Sequence, residues 1–136
     1  RAQNMKNFTI TVIHASFLEP GETPKAVARV TTSGLDLFQA TEYAYRYTNN
    51  IDGSWSMKIG ADANDNVQVI APLIQHQGKQ YGLRSTSVGD VLLVDDGEGF
   101  RDYFRVAGFG FEPCEPFAHY KEDVNSVYLS KLINNN

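Results

Sequence analysis

The sequence predicts an α+β fold: a small, largely antiparallel sheet or open barrel of about five strands, with a central helix and a C-terminal helix. Three observations lead there. Short β-branched runs recur between Pro- and Gly-rich turns, two longer segments carry apolar residues at helical spacing, and 136 residues suffice for one core. At 42% hydrophobic and 21% charged, the chain has the composition of an ordinary globular domain and not of a disordered one.

The elements follow in order. Phe8-Thr9-Ile10-Thr11-Val12-Ile13 alternates polar with apolar and reads as the first strand. Glu19-Pro20-Gly21-Glu22-Thr23-Pro24 is a loop by composition, so the next run, Ala26 to Thr32, can pair back antiparallel. Ser33-Gly34-Leu35-Asp36 has capping-box spacing, and Leu37, Ala40, Ala44 and Tyr47 then fall on one helical face. Tyr43, Tyr45 and Tyr47 also alternate as in a strand. The cap and the small alanines favour a helix from about Leu35 to Thr48, ended at Asn49-Asn50.

Asp52-Gly53-Ser54 and Asn64-Asp65-Asn66 are turn clusters on either side of Trp55. Val67 to Ile70 is a short strand, followed by Pro72 and a polar loop through Gly78. Val91-Leu92-Leu93-Val94 is continuously apolar, as in a strand buried on both faces. The acidic turn Asp95-Asp96-Gly97-Glu98-Gly99 returns into Tyr103 to Phe109, completing a hairpin. Pro113-Cys114-Glu115-Pro116 breaks structure, and Val124, Val127, Tyr128 and Leu132 line a second helix expected from Tyr120 to about Ile133. Arg1-Ala2-Gln3-Asn4 precedes a Met5 that reads like a natural start, so the domain is expected to span 5–136 behind a four-residue cloning remnant.

Charge and cysteine content narrow the function classes. Twelve basic against sixteen acidic residues give −4, or −5 without Arg1, which excludes a polycation built to coat nucleic acid. One cysteine excludes an internal disulfide, and no apolar stretch approaches membrane-spanning length, so a cytoplasmic address is expected. Catalytic signatures are missing. His14, His76 and His119 lie at least 43 residues apart, and Ser85 and Ser87 lack the G-x-S-x-G elbow. The acidic turn lacks calcium-loop spacing, and Gly108-Phe109-Gly110-Phe111 does not open a helix as a dinucleotide fingerprint does. The expectation is a protein without catalytic residues, metal or cofactor.

Two stretches carry a resemblance. Tyr45-Arg46-Tyr47-Thr48-Asn49-Asn50-Ile51-Asp52-Gly53-Ser54-Trp55 is one. Arg84-Ser85-Thr86-Ser87-Val88-Gly89-Asp90-Val91, followed by a hairpin and Gly108-Phe109-Gly110-Phe111-Glu112, is the other. From about Leu35 to Glu112 the chain resembles small proteins of bacteriophages, plasmids and their hosts, and is loosely similar to the YodL-like modules of polyvalent mobile-element proteins. The resemblance implies a genomic setting rather than a reaction.

Candidate binding residues come from these stretches. One cation followed by three hydroxyls, Arg84-Ser85-Thr86-Ser87, can hold a phosphate or carboxylate. Alternatively Arg84 pairs with Asp52 or Asp90 and pins its own loop. Gly89-Asp90 suits a tight entry into a strand. Trp55 either covers the sheet or anchors a partner. Asn49, Asn50 and Asp52 are placed to cap the helix and brace the Arg84 loop. The expected partner is a protein. A nucleic acid is the alternative if Arg29, Arg46, Arg84, Arg101 and Arg105 gather on one face.

Overall fold

The computed structural model describes residues 5–116 and residue 120. The first strand, β1 (Lys6–His14), pairs antiparallel with β2 (Lys25–Leu35) across the expected Pro/Gly loop. Gly34, in the left-handed region at φ 70°, sits where the β1–β2 register shifts, a bulge just before β2 ends and the helix α1 (Leu37–Arg46) begins. The capping box sits one turn later than Ser33 suggests. Asp36 is the N-cap and accepts from the Gln39 amide at 2.8 Å, while the Gln39 side chain accepts from the Asp36 amide at 3.0 Å. Ser33 stays in the strand. Tyr43 and Tyr45 are helical, and Tyr47 is the C-cap. Asn49 still serves the helix end, donating its amide to the Tyr45 carbonyl at 2.5 Å.

Beyond an irregular stretch containing one 3-10 turn (Gly60–Asp62) come β3 (Val67–Val69), β4 (Ile74–His76), β5 (Lys79–Tyr81), β6 (Val91–Asp95), β7 (Arg101–Val106) and β8 (Phe111–Pro113). Six strands form one antiparallel sheet in the order β3-β2-β1-β6-β7-β8, and β4 and β5 form a separate hairpin. The sheet is open, with β3 and β8 at its edges, so the barrel alternative is not realised. Strands β1, β2, β3, β6 and β7 answer to the five sequence runs. The other three were hidden by their chemistry. Both strands of the β4–β5 hairpin are exposed throughout, so no hydrophobic alternation marks them. Only the Gln77-Gly78 turn, with φ 51° and 78°, has the geometry of a tight hairpin. The run from Tyr103 stops at Val106, and Gly108-Phe109-Gly110 forms a turn into β8. The helix expected from Tyr120 to Ile133 lies, Tyr120 apart, outside the described residues.

The core is built on one face of the sheet. Phe8, Ile10 and Val12 of β1, Ala28 and Val30 of β2, Leu92 and Val94 of β6 and Phe104 of β7 meet Ala40 and Ala44 of α1, with Trp55, Leu83 and Ala71 filling the gaps. The two alanines let α1 approach the sheet closely, while Phe38 on its other side is exposed. On the opposite face Ile13, Ala26, Ile70, Val91, Leu93 and Tyr103 form a smaller cluster against Cys114 and Tyr120. Strand β6 feeds both clusters, which explains its unbroken apolar run. No helix among the described residues is long and apolar enough to cross a membrane.

Candidate functional site: a braced loop end

Sheet order brings three loops to one end of the molecule. The β1–β2 loop (15–24), the segment entering β6 (84–90) and the β7–β8 turn (107–110) all leave from the same end of neighbouring strands, because Val91 of β6 is paired with Ile13 on one side and Arg105 on the other. At the centre lies Asp90, wholly buried. Its Oδ1 accepts from the amides of Ala15 at 2.8 Å and Ser16 at 2.9 Å. Its Oδ2 accepts from the Ser87 amide at 2.7 Å. The Arg84 guanidinium grips both oxygens, at 2.7 and 3.0 Å. The same guanidinium also donates to the carbonyls of Ser16 at 3.0 Å and Ser85 at 2.9 Å. Burial alone would raise the Asp90 pKa. The Arg84 contact, the Ser16 and Ser87 amides and nearby His14 outweigh it and hold the carboxylate below its usual range.

His14, at the end of β1, is buried beside this pair, its Nε2 4.0 Å from Asp90 Oδ2 and 3.0 Å from Thr86 Oγ1. Burial pushes its pKa down to about 4; the pull of Asp90 opposes this, while Arg84 and Lys25 reinforce it. The imidazole is therefore neutral at pH 7. Thr86 Oγ1 donates to Thr48 Oγ1 at 2.8 Å, and Thr48 Oγ1 donates to the Ala44 carbonyl at 2.8 Å. With its one proton committed, Thr86 must accept from His14, which assigns the proton to Nε2. A His–Asp neighbourhood thus exists, but it is sealed under Thr86, which is 1% exposed.

Of the predicted binding residues, Arg84, Ser85, Thr86, Ser87, Asp90, Asn50 and Trp55 do come together, but largely as a brace. The Asn50 amide donates to Ser85 Oγ at 2.8 Å, its side chain donates to the Leu83 carbonyl at 3.0 Å, and its Oδ1 receives the Trp55 amide at 2.9 Å. The Trp55 indole donates to the Arg84 carbonyl at 2.9 Å and is wholly buried, so it covers the sheet and is no exposed anchor. Thr86 and Asp90 are likewise out of a partner's reach. Asp52 belongs elsewhere, accepting from the Ala61 amide at 3.0 Å. Of the two candidate partners for Arg84, Asp90 is the one it takes.

A second buried carboxylate had no sequence signal. Asp62 accepts from the amides of Ile51 at 2.8 Å, Asp52 at 2.8 Å and Gly53 at 2.7 Å, and from Arg46 at 3.1 Å. Burial pushes its pKa up, and these four donors more than reverse the shift.

The loop end shows several large apolar side chains to solvent beside the exposed Glu19 and Glu22. Phe109, flanked by glycines in the β7–β8 turn, is 100% exposed; Phe17 is 76% and Val88 56% exposed. Phe17 has φ 60°, a conformation unfavourable for a bulky side chain, and its ring lies 5.1 Å from the Arg84 guanidinium. None of these three was singled out from sequence. The glycine–Phe–glycine turn was the available clue, because a three-residue reversal cannot fold its middle side chain inward.

The five arginines do not gather around Arg84. Arg46, Arg101 and Arg105 face Asp62, Asp95 and Glu112, and Arg29 sits with Arg101 on the outer face of the sheet. Cys114 is unpaired, and its thiol is pushed up chiefly by burial, opposite to an activated thiolate. No three His, Cys, Asp or Glu side chains among the described residues are placed to hold a metal ion. Compared with family models, curated proteins and solved structures, the chain matches none.

Proposed function

We propose that this is a small non-enzymatic accessory protein of a bacteriophage or mobile element that binds a partner protein through its loop end. The observation that carries the reading is the fully exposed Phe109 on the loop next to those presenting Phe17 and Val88. Adjacent strands lie about 4.8 Å apart, so the loops that carry Phe17 and Phe109 leave the sheet from strands roughly 10 Å apart. Such a span suits one protein epitope. Exposed aromatics on loops held by a rigid frame are the usual anchors of protein recognition. The strained backbone at Phe17 supports the same reading, because burying the ring does not account for that strain. The Arg84–Asp90 pair then acts as the frame that fixes three loops relative to one another. The resemblance of residues 35–112 to phage and plasmid proteins supports the genomic setting.

The test is affinity capture from a bacterial lysate, with nuclease-treated and untreated arms, comparing the native protein with a Phe17→Ser/Phe109→Ser double variant. Proteins retained after nuclease treatment by the native chain and lost by the variant are the expected result. An identical captured set from both overturns the loop-end assignment. Capture abolished by nuclease transfers the surface to nucleic acid.

A further inference from the structure

On the reading that a partner protein docks at the loop end, the charges there define what kind of surface fits. The loop tips, residues 17–22, 87–89 and 107–110, contain two ionisable side chains, Glu19 and Glu22, and both are exposed. Phe17 and Leu18 lead directly into them, while Val88 and Phe109 stand on the neighbouring tips.

The backbone holds the two carboxylates together. Glu19-Pro20-Gly21-Glu22 is a β-turn in which the Glu22 amide donates to the Glu19 carbonyl at 2.9 Å and Gly21 takes φ 87°. Proline second and a positive-φ glycine third mark a type II turn, whose ends lie within about 7 Å at Cα. The Glu22 side chain closes the turn as well, its Oε1 accepting from the Glu19 amide at 2.6 Å. Two like charges are thus fixed on a short, stiff turn, and neither forms an ion pair among the described residues.

The arginines near this end are already engaged, Arg84 with Asp90 and Arg105 with Glu112. Across residues 15–25, two glutamates against Lys25 alone leave a surplus of one negative charge. A cation brought up to both carboxylates relieves their repulsion, and water leaving the apolar tips strengthens that attraction.

We infer that the partner surface is an apolar groove with a cationic rim. The groove receives Phe17 and Phe109, and lysine or arginine side chains on its border meet Glu19 and Glu22. An apolar centre with a charged border is the usual anatomy of a protein interface. The same two glutamates repel a phosphate backbone, which sets nucleic acid apart from the expected partner.

Affinity capture from a nuclease-treated bacterial lysate tests this with the native chain, Phe17→Ser/Phe109→Ser, Glu19→Gln/Glu22→Gln and Glu19→Lys/Glu22→Lys as baits. Glutamine at position 22 keeps the oxygen that closes the turn, so that variant removes charge and little else. The most abundant protein held by the native chain and released by the Phe variant is identified by mass spectrometry, purified and titrated against every bait. The glutamine pair should weaken binding about fivefold and the lysine pair about thirtyfold, mainly through the association rate. Raising salt from about 0.1 M to about 1 M shortens the Debye length from about 10 Å to about 3 Å, and should weaken the native complex more than the glutamine variant's. Equal affinity for the native chain and both charge variants, or a salt response that they share, overturns the cationic rim while the loop-end reading stands. A Phe variant that holds the same proteins as the native chain, or a native chain that holds none beyond bare resin, overturns that reading and the rim with it.

Discussion

Asp90 and Asp62 are alike in chemistry and different in reach. Each is a wholly buried carboxylate that meets an arginine and several backbone amides. Asp62 collects donors from residues at most 16 positions away, Arg46 and the Ile51–Gly53 turn, and so shapes one loop. Asp90 collects donors from Ala15 and Ser16, 75 and 74 positions away, as well as from Arg84 and Ser87. The same functional group therefore closes a local turn in one place and ties the first hairpin to the centre of the sheet in the other. A buried carboxylate contributes through what it joins, and the chain separation of its donors tells which part of the fold depends on it.

Removing the two carboxylates is the strongest way to break this comparison. Asp90→Ala strips five hydrogen bonds and leaves Arg84 without its partner. Breaking a buried ion pair costs about 3–5 kcal/mol, so urea unfolding should show global destabilisation on that scale. Asp62→Asn should act locally. Hydrogen exchange is expected to accelerate across residues 46–62 while the amides of β1 and β6 keep their protection. Uniform acceleration in both variants would erase the distinction.

The next largest effect is pH-dependent. His14 is held at about 4, below its usual 6.5, so the unfolded chain binds a proton that the folded chain does not. Stability is full above pH 6.5 and falls as pH drops towards 4, by about 3 kcal/mol for a shift of this size. Asp90 adds its own loss only at lower pH, as acid protonates a carboxylate held below 3.8. Chemical denaturation between pH 7 and 4 should show the slope, and His14→Gln should flatten it. A profile that is identical in the variant would remove His14 from the account.

Arg84→Ala should cost less than Asp90→Ala, about 1–3 kcal/mol, because three amides continue to hold the carboxylate. An unchanged melting temperature would dismiss the brace and leave Arg84 to recognition alone. The smallest effect belongs to Phe109→Ser, expected within about 0.5 kcal/mol of the native chain because the ring touches solvent on all sides. A larger loss would mean that the turn residue supports the fold rather than a partner.

The contrast also explains what could be read from the chain. Arg84 and Asp90 stand six residues apart in a stretch whose turn chemistry is explicit, so their pairing could be anticipated. Asp62 could not, because three of its four donors are backbone amides, and those leave no trace in residue type. The hairpins around β1–β2 and β6–β7 were legible through alternation and punctuation. The β4–β5 hairpin, exposed along both strands, had no buried face to impose an alternation. Trp55 could be read either as cover or as anchor, and the deciding contact, its indole on the Arg84 carbonyl, depends on segments 29 residues apart. Strain at Phe17 was illegible for a simpler reason: side-chain identity does not specify a positive φ that the surrounding structure imposes.

The hydroxyl chain from His14 through Thr86 and Thr48 to Ala44 has a polarity as well as a length. Each hydroxyl owns a single hydrogen and hands it towards the helix, so the arrangement runs one way, like a row of turnstiles. Threonine to serine at either position preserves that direction. Threonine to valine stops it, and a valine at position 86 leaves the ring nitrogen facing a methyl group. A carbonyl near the end of α1 thereby dictates which nitrogen of a histidine at the end of β1 carries hydrogen, although helix and strand are joined there by no backbone ladder.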